Sequence, residues 1–223
     1  LLTGIMGNVE LALAEAEGRA RAALGDLDAF RLLVAEVEVL DSQELLRGRT
    51  MASLAMELRA HGHRNASLEL VERTLRWHAR LSAELRSARQ GRQLLASLLY
   101  MGERWSEAAD LWGDLERGAL GIDLIRAVGR QGTAAARLGD PGRAEAAMQR
   151  LTGLEPSTPA SLGQATLYRA RIAAVLGKRE RAVHLLRQAF SQGQAFGLWL
   201  HRDMDLESLR GYRPYEELVA PGG

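Results

Sequence analysis

The sequence has no cysteine, a single lysine and only eleven aromatic residues in 223. The absence of cysteine excludes a disulfide-stapled fold and a cysteine nucleophile. No apolar run approaches the roughly 18 residues that a membrane span requires, and no signal-peptide pattern opens the chain. An apolar content of 47% with 26% charged residues is typical of a soluble globular or repeat protein, and we expect it to be cytoplasmic.

Residues that favour β-strands are also scarce. Isoleucine and valine together number 13, whereas leucine supplies 39 residues and alanine 35. Because leucine and alanine are strong helix formers and β-branched residues favour strands, this composition predicts an all-α protein.

Neither sign of charge dominates the chain. The 29 basic residues face 28 acidic ones, which leaves a formal net charge of +1. Such a balance gives no reason to expect nucleic acid as a partner, because nucleic-acid-binding domains usually carry a strong basic excess.

A short pattern recurs five times along the chain. A helical stretch ends at a glycine, a polar turn follows, and a residue five positions later opens a second helix. The anchor residues are 37, 41, 36 and 38 positions apart, and one of them is a glutamate: Gly25, Gly62, Glu103, Gly139 and Gly177. Self-similarity at a period of this size is typical of a stacked repeat array.

Each part of the pattern has a physical reason. Glycine ends a helix readily because it adopts the left-handed conformation without a clash at Cβ. A small residue five positions later, such as Ala144 or Ala182, allows two antiparallel helices to approach closely. Apolar residues four and seven positions further on lie on one helix face, which a single hairpin cannot bury.

These residues resemble the tetratricopeptide repeat family. The fourth repeat has residues at the family's small, aromatic, glycine, small, large, small and proline positions, which are in that order Gly132, Ala135, Gly139, Ala144, Met148, Leu151 and Pro156. Ala135 and Leu151 depart from the usual residue types. The fifth repeat matches at Ala170, Ala173, Gly177, Ala182, Leu186 and Ala189, with Gln194 in place of the proline. The first two repeats also fit generic helical hairpins.

The resemblance implies an all-α, right-handed superhelix (an α-α solenoid) of about five helix pairs with a C-terminal capping helix. The repeats would occupy residues 11–46, 48–87, 89–122, 125–158 and 163–196.

The region 197–223 no longer follows the repeat and is expected to be a cap and tail. Its Asp203-Met204-Asp205-Leu206 stretch, followed by Leu209-Arg210, resembles the ending of bacterial tetratricopeptide arrays that lie behind kinase, cyclase or DNA-binding domains. We expect Asp203 or Asp205 to cap a short helix while Leu206 and Leu209 cover the last repeat.

Motifs of catalysis are missing. The chain has no phosphate-binding glycine loop with a lysine, no His-Glu-x-x-His and no Gly-x-Ser-x-Gly, so we expect neither an enzyme nor a cofactor. His61 and His63 could bind a metal if a third ligand joined them, and His201 with the two aspartates is a second alternative. A solvated turn and helix capping are the simpler interpretations of these residues.

In the family, the first helix of each pair lines a concave groove. The resemblance places a set of polar and aromatic residues at its groove positions, namely Arg49, Arg59, Gln93, Tyr100, Arg126, Arg137 and Arg171. Guanidinium groups form bidentate pairs with carboxylates, so this set predicts an acidic partner segment. The alternative is that many arginines pair with acids three or four residues away on their own helix.

We therefore predict a protein–protein interaction module, with another protein or peptide as its partner and no membrane span. The alternative is the C-terminal sensory or scaffold region of a larger bacterial signalling protein that binds its own other domain or associates with itself. Because the chain begins with leucine rather than methionine, we expect it to be part of a longer protein.

Overall fold

The structure is a computed structural model that describes residues 2–40, 42–154 and 162–220, with side chains from residue 9 onward. Within these ranges all regular secondary structure is helical and there is no strand, which confirms the all-α prediction. None of the described helices is both long and apolar enough to span a bilayer. Pro156, one of the repeat-pattern residues, lies outside the described ranges.

The chain forms two compact units, Leu1–Glu103 and Arg104–Gly223. The boundary falls inside the stretch 89–122 that the sequence predicts as one repeat. Each unit contains helix pairs that are joined by short turns, and such short connections place the two helices of a pair antiparallel.

In the part of the first unit that the structure describes there are six helices: α1 Leu2–Leu24, α2 Leu27–Val39, α3 Glu44–Ala60, α4 Arg64–Ala79, α5 Ala83–Ser87 and α6 Arg89–Met101. Helix α3 is central, because it packs against α1, α2, α4 and α6. Its residues 50–55 are all buried as a result. The short helix α5 is not part of the repeat pattern.

The described residues of the second unit form eight helical segments: α7 Trp105–Glu116, α8 Gly121–Arg137, α9 Pro141–Leu154, α10 Gln164–Val175, α11 Arg179–Ser191, α12 Trp199–Arg202, a 3-10 helix Met204–Leu209 and α13 Arg213–Val219. Helix α10 packs against α8, α9, α11 and the 3-10 helix, and α13 packs against α11.

All five anchor residues of the repeat pattern adopt the left-handed conformation. Gly139 has φ 74° and the glutamate anchor, Glu103, has φ 62°. After Gly139 the chain closes the helix end with two backbone hydrogen bonds, from Gly139 N to Ala136 O and from Asp140 N to Ala135 O. The same paired bonds end the helix at Gly25, Gly62 and Gly177. This is the expected glycine termination of a helix.

Candidate functional site

Over residues 48–58, helix α3 presents only a narrow exposed line. Arg49 is exposed and Met56, two turns further on, is partly exposed, whereas the residues between them are buried. A spacing of seven residues places both side chains on one face of the helix. Arg49 is therefore the charged group at the N-terminal end of this line.

Helix α8 carries a longer line of arginines. Arg126, Arg130 and Arg137 are spaced by four and seven residues, so they share one face. Arg126 forms an ion pair with Asp123 on the same helix, with 2.7 Å between Nη1 and Oδ1. The other two arginines extend toward the C-terminal part of the chain.

A buried aromatic ring joins this line to helix α10. The Tyr168 ring packs directly over Gly129 of α8, where an added Cβ would lie 2.2 Å from Tyr168 Cγ. The guanidinium carbons of Arg130 and Arg171 lie 5.7 Å and 5.0 Å from the ring centroid. These distances are those of cation–π interactions, so the close helix crossing at Gly129 gathers two arginines around one ring.

The C-terminal segment, Trp199–Leu209, binds to this arginine surface. Arg171 Nε donates a hydrogen bond to Asp203 Oδ2 at 2.7 Å. Arg137 Nη2 donates to the backbone carbonyl of Met204 at 2.6 Å and lies 3.4 Å from Asp205 Oδ1.

Asp205 is the most enclosed acid of this arrangement. Its side chain is 0% exposed, and Nη1 of Arg130 lies 3.6 Å from its Oδ2. Two carboxylates and a carbonyl are thus held by three arginines of α8 and α10, which we call the arginine surface of the second unit. The segment also contributes the Trp199 ring, whose centroid lies 5.6 Å from the Arg171 guanidinium carbon.

The surroundings of Arg171, including Asp203, favour the charged form of its guanidinium. Burial of Arg171 lowers the pKa of its guanidinium, but the electrostatic effects of Asp203, Tyr168 and Asp205 together raise it by more, so the pKa of Arg171 is raised. Tyr215 of α13, unlike Arg171, becomes negatively charged when it ionises. Burial, together with the negative charge of Asp203, raises the pKa of Tyr215 to about 12. These contacts therefore favour the charged form of Arg171.

Apolar residues of the C-terminal segment also pack into the core of the second unit. Leu206 and Leu209 are fully buried in the same core as α10 and α11, and Tyr215 joins them. Asp203 Oδ1 accepts a hydrogen bond from Asp205 N at 3.0 Å and so caps the 3-10 helix. Ser208 Oγ donates to the carbonyl of Ala174 at 2.7 Å, which ties the segment to the end of α10.

The first unit distributes its predicted site residues differently. Tyr100 is 1% exposed, so burial leaves its ring no free surface for a bound segment. Arg59 is mostly buried and pairs with Glu103, at 2.9 Å between Nη1 and Oε1. Arg64 binds the same carboxylate. Gln93 of α6 is partly exposed. Arg49 and Gln93 therefore remain the accessible members of the predicted set in this unit.

No protein-family model, curated protein or solved structure matches this chain. The geometry of its side chains is consequently the basis for any functional proposal.

Three of the residues considered as metal ligands, His63, Asp203 and Asp205, contact other groups of the protein. His63 Nε2 donates a hydrogen bond to the carbonyl of Ala22 at 3.0 Å. Asp203 and Asp205 face arginines. Cationic neighbours oppose the binding of a metal ion, so these aspartates have a structural explanation that requires no metal.

Two features of the site are absent from the sequence prediction. Arg130 was not among the groove residues, although its position four residues after Arg126 places it on the same helix face. The role of Asp203 and Asp205 as ligands of the arginines was also missed. Their pattern, two acids separated by one residue next to an arginine-rich helical array, is the signal that could have indicated it.

Proposed function

We propose that this chain is a tetratricopeptide-like protein-interaction module that binds an acidic segment of a partner along its first helices. The left-handed anchors and the antiparallel helix pairs within each unit support the family resemblance. The right-handed superhelix that the resemblance implies is part of this proposal.

One observation carries the functional proposal. The arginine surface already holds a short acidic stretch at the start of the 3-10 helix, because Asp203, the carbonyl of Met204 and Asp205 are bound by Arg137 and Arg171. The contacts involve charged side chains and one backbone carbonyl, which are groups that a peptide ligand also offers. A surface that binds such a stretch in its own chain has the chemistry to bind one in a partner.

The accessible part of this chemistry lies on two lines. In the first unit it consists of Arg49 of α3, together with Met56 of the same helix and Gln93 of α6, which packs against α3. In the second unit it consists of Arg126 at the other end of the α8 line. We expect these two arginines to attract carboxylates and to give a binding affinity that falls as salt is added.

A peptide titration tests the proposal. Two fluorescein-labelled peptides of equal length, one alternating aspartate with leucine and one with lysine in place of aspartate, are titrated with the protein while anisotropy is followed. We expect only the acidic peptide to bind. Reversing the charge at Arg49 or Arg126 to glutamate removes one attraction of about 1 kcal/mol and adds a comparable repulsion, which weakens binding about thirtyfold.

Matched controls come from the second helices. Arg76 of α4 and Arg187 of α11 are also exposed, and their change to glutamate alters net charge identically. We expect these controls to weaken binding only slightly, through the general field. Equal binding of both peptides, or equal losses in the control and test variants, would contradict the proposal.

An intramolecular partner is the second candidate. It is favoured by the fact that the segment bound in the second unit belongs to the same chain. In a larger signalling protein, an acidic stretch of another domain would take the place of the free peptide. Sequencing the complete gene distinguishes the two, because a kinase, cyclase or DNA-binding domain in the same protein favours the intramolecular role.

A further inference from the structure

We propose that the C-terminal segment is a releasable internal ligand: it covers the arginine surface of the second unit, and a partner segment reaches that surface only by displacing it. This inference rests on the proposed function. It adds regulation, and it defines the kind of partner sequence that fits.

The polar contacts define the pattern of the ligand. The two carboxylates belong to Asp203 and Asp205, so acids at positions i and i+2 meet arginines of two different helices. Leu206 follows directly and is buried. A competing partner therefore needs two acids separated by one residue and then leucine, because acids alone would leave the apolar site of Leu206 exposed to water.

The linker that joins α11 to the C-terminal segment would allow that segment to leave the arginine surface. Helix α11 ends at Ser191 and α12 begins at Trp199, and the residues between them are non-helical. Gly193 has φ 98°, and Phe196 and Leu198 are 54% and 67% exposed. Because this linker buries little of its own, it acts as a tether that keeps the segment at a high local concentration without fixing it in place.

A cleavable linker tests the inference on the complete chain. A protease recognition sequence replaces residues 194–197, which leaves every contact residue of the C-terminal segment intact. The probe is a fluorescein-labelled peptide with the sequence Trp199–Tyr212. A control probe carries asparagine at both aspartate positions.

We expect the intact protein to bind the probe weakly at the arginine surface, because the tethered segment competes at a concentration of about a millimolar. After cleavage the cut segment exchanges with the probe, and the apparent affinity rises about a hundredfold or more. The control probe should show no such rise.

A second variant avoids the cut. Changing both Asp203→Asn and Asp205→Asn in the full chain weakens the internal ligand, and we expect the native probe to bind at least about tenfold more tightly than it binds the unaltered protein. Adding Arg171→Glu should abolish this gain. Hydrogen exchange of residues 204–209 reports release of the segment independently of probe binding.

The outcomes separate the two proposals. Probe binding that depends on Arg49 but does not increase after cleavage or in the double asparagine variant overturns the internal-ligand inference and leaves the proposed function standing. An unchanged exchange rate at residues 204–209 in that variant also overturns the inference. Absence of probe binding in every form contradicts both.

Discussion

Glu103 occupies a position where the other four repeats have glycine, and two substitutions there should fall in an unusual order of stability. With φ 62° the residue is in the left-handed conformation, which costs a non-glycine residue about 1 kcal/mol. Its carboxylate compensates by binding Arg59 and Arg64. The Arg59 side chain is 13% exposed, so we assign this pair about 1.5 kcal/mol, and the more exposed Arg64 pair about 0.5 kcal/mol.

Glu103→Ala should therefore lower the free energy of unfolding by about 2 kcal/mol, because it loses both ion pairs and keeps the backbone cost. Glu103→Gly loses the same ion pairs but removes that cost, so its loss should be only about 1 kcal/mol. Glycine would thus be the more stabilising replacement at a helix end, contrary to the general preference for alanine within helices.

The matched control is Gly139→Ala in the equivalent turn. Its φ is 74° and no atom lies within 4 Å of the added Cβ, so only the backbone cost of about 1 kcal/mol should appear. Urea unfolding followed by far-UV circular dichroism measures all three variants. An alanine variant as stable as the glycine variant at position 103 would refute the reasoning, as would a neutral Gly139→Ala.

Further predictions concern buried charge and pH. Asp205→Asn should cost about 2 kcal/mol in urea unfolding, because two arginines lose a fully buried carboxylate. Asp114→Asn breaks an exposed pair with Arg117 at the C-terminal end of α7 and should cost less than about 0.5 kcal/mol, and equal costs would contradict this. Burial lowers the pKa of His78, whose Nε2 donates to the Gly91 carbonyl at 3.0 Å. The unfolded state therefore binds the proton first, so stability should be complete above about pH 6.5 and decline as the pH falls toward the folded pKa. His78→Gln should remove this slope between pH 7.5 and 5.5, and an unaltered slope would show that another group causes it.

The local features of the fold follow from the sequence because they depend on neighbouring residues. Each anchor residue ends its helix in the predicted place, since a left-handed turn needs only the backbone of a few consecutive residues. Ala144 and Ala182 are fully buried at the predicted helix crossings. Even the exception, Glu103, keeps the conformation of glycine.

The site was less predictable because its contacts join distant parts of the chain. Arg137 and Asp205 are 68 residues apart and Arg171 and Asp203 are 32 apart, so no helical periodicity relates them. Tyr100 has a groove position in the repeat pattern, yet it is buried. Periodicity gives the direction of a side chain on its helix, whereas burial depends on which neighbouring helix covers that direction.

Hydrogen exchange of the full chain, measured with and without a saturating aspartate–leucine peptide, shows whether acidic segments bind along the first helices. We expect protection to appear in α3, α6 and α8, around Arg49, Gln93 and Arg126, and no change in α4 and α11. Protection confined to α4 and α11, or no change in any helix at saturation, would show that acidic segments do not bind there.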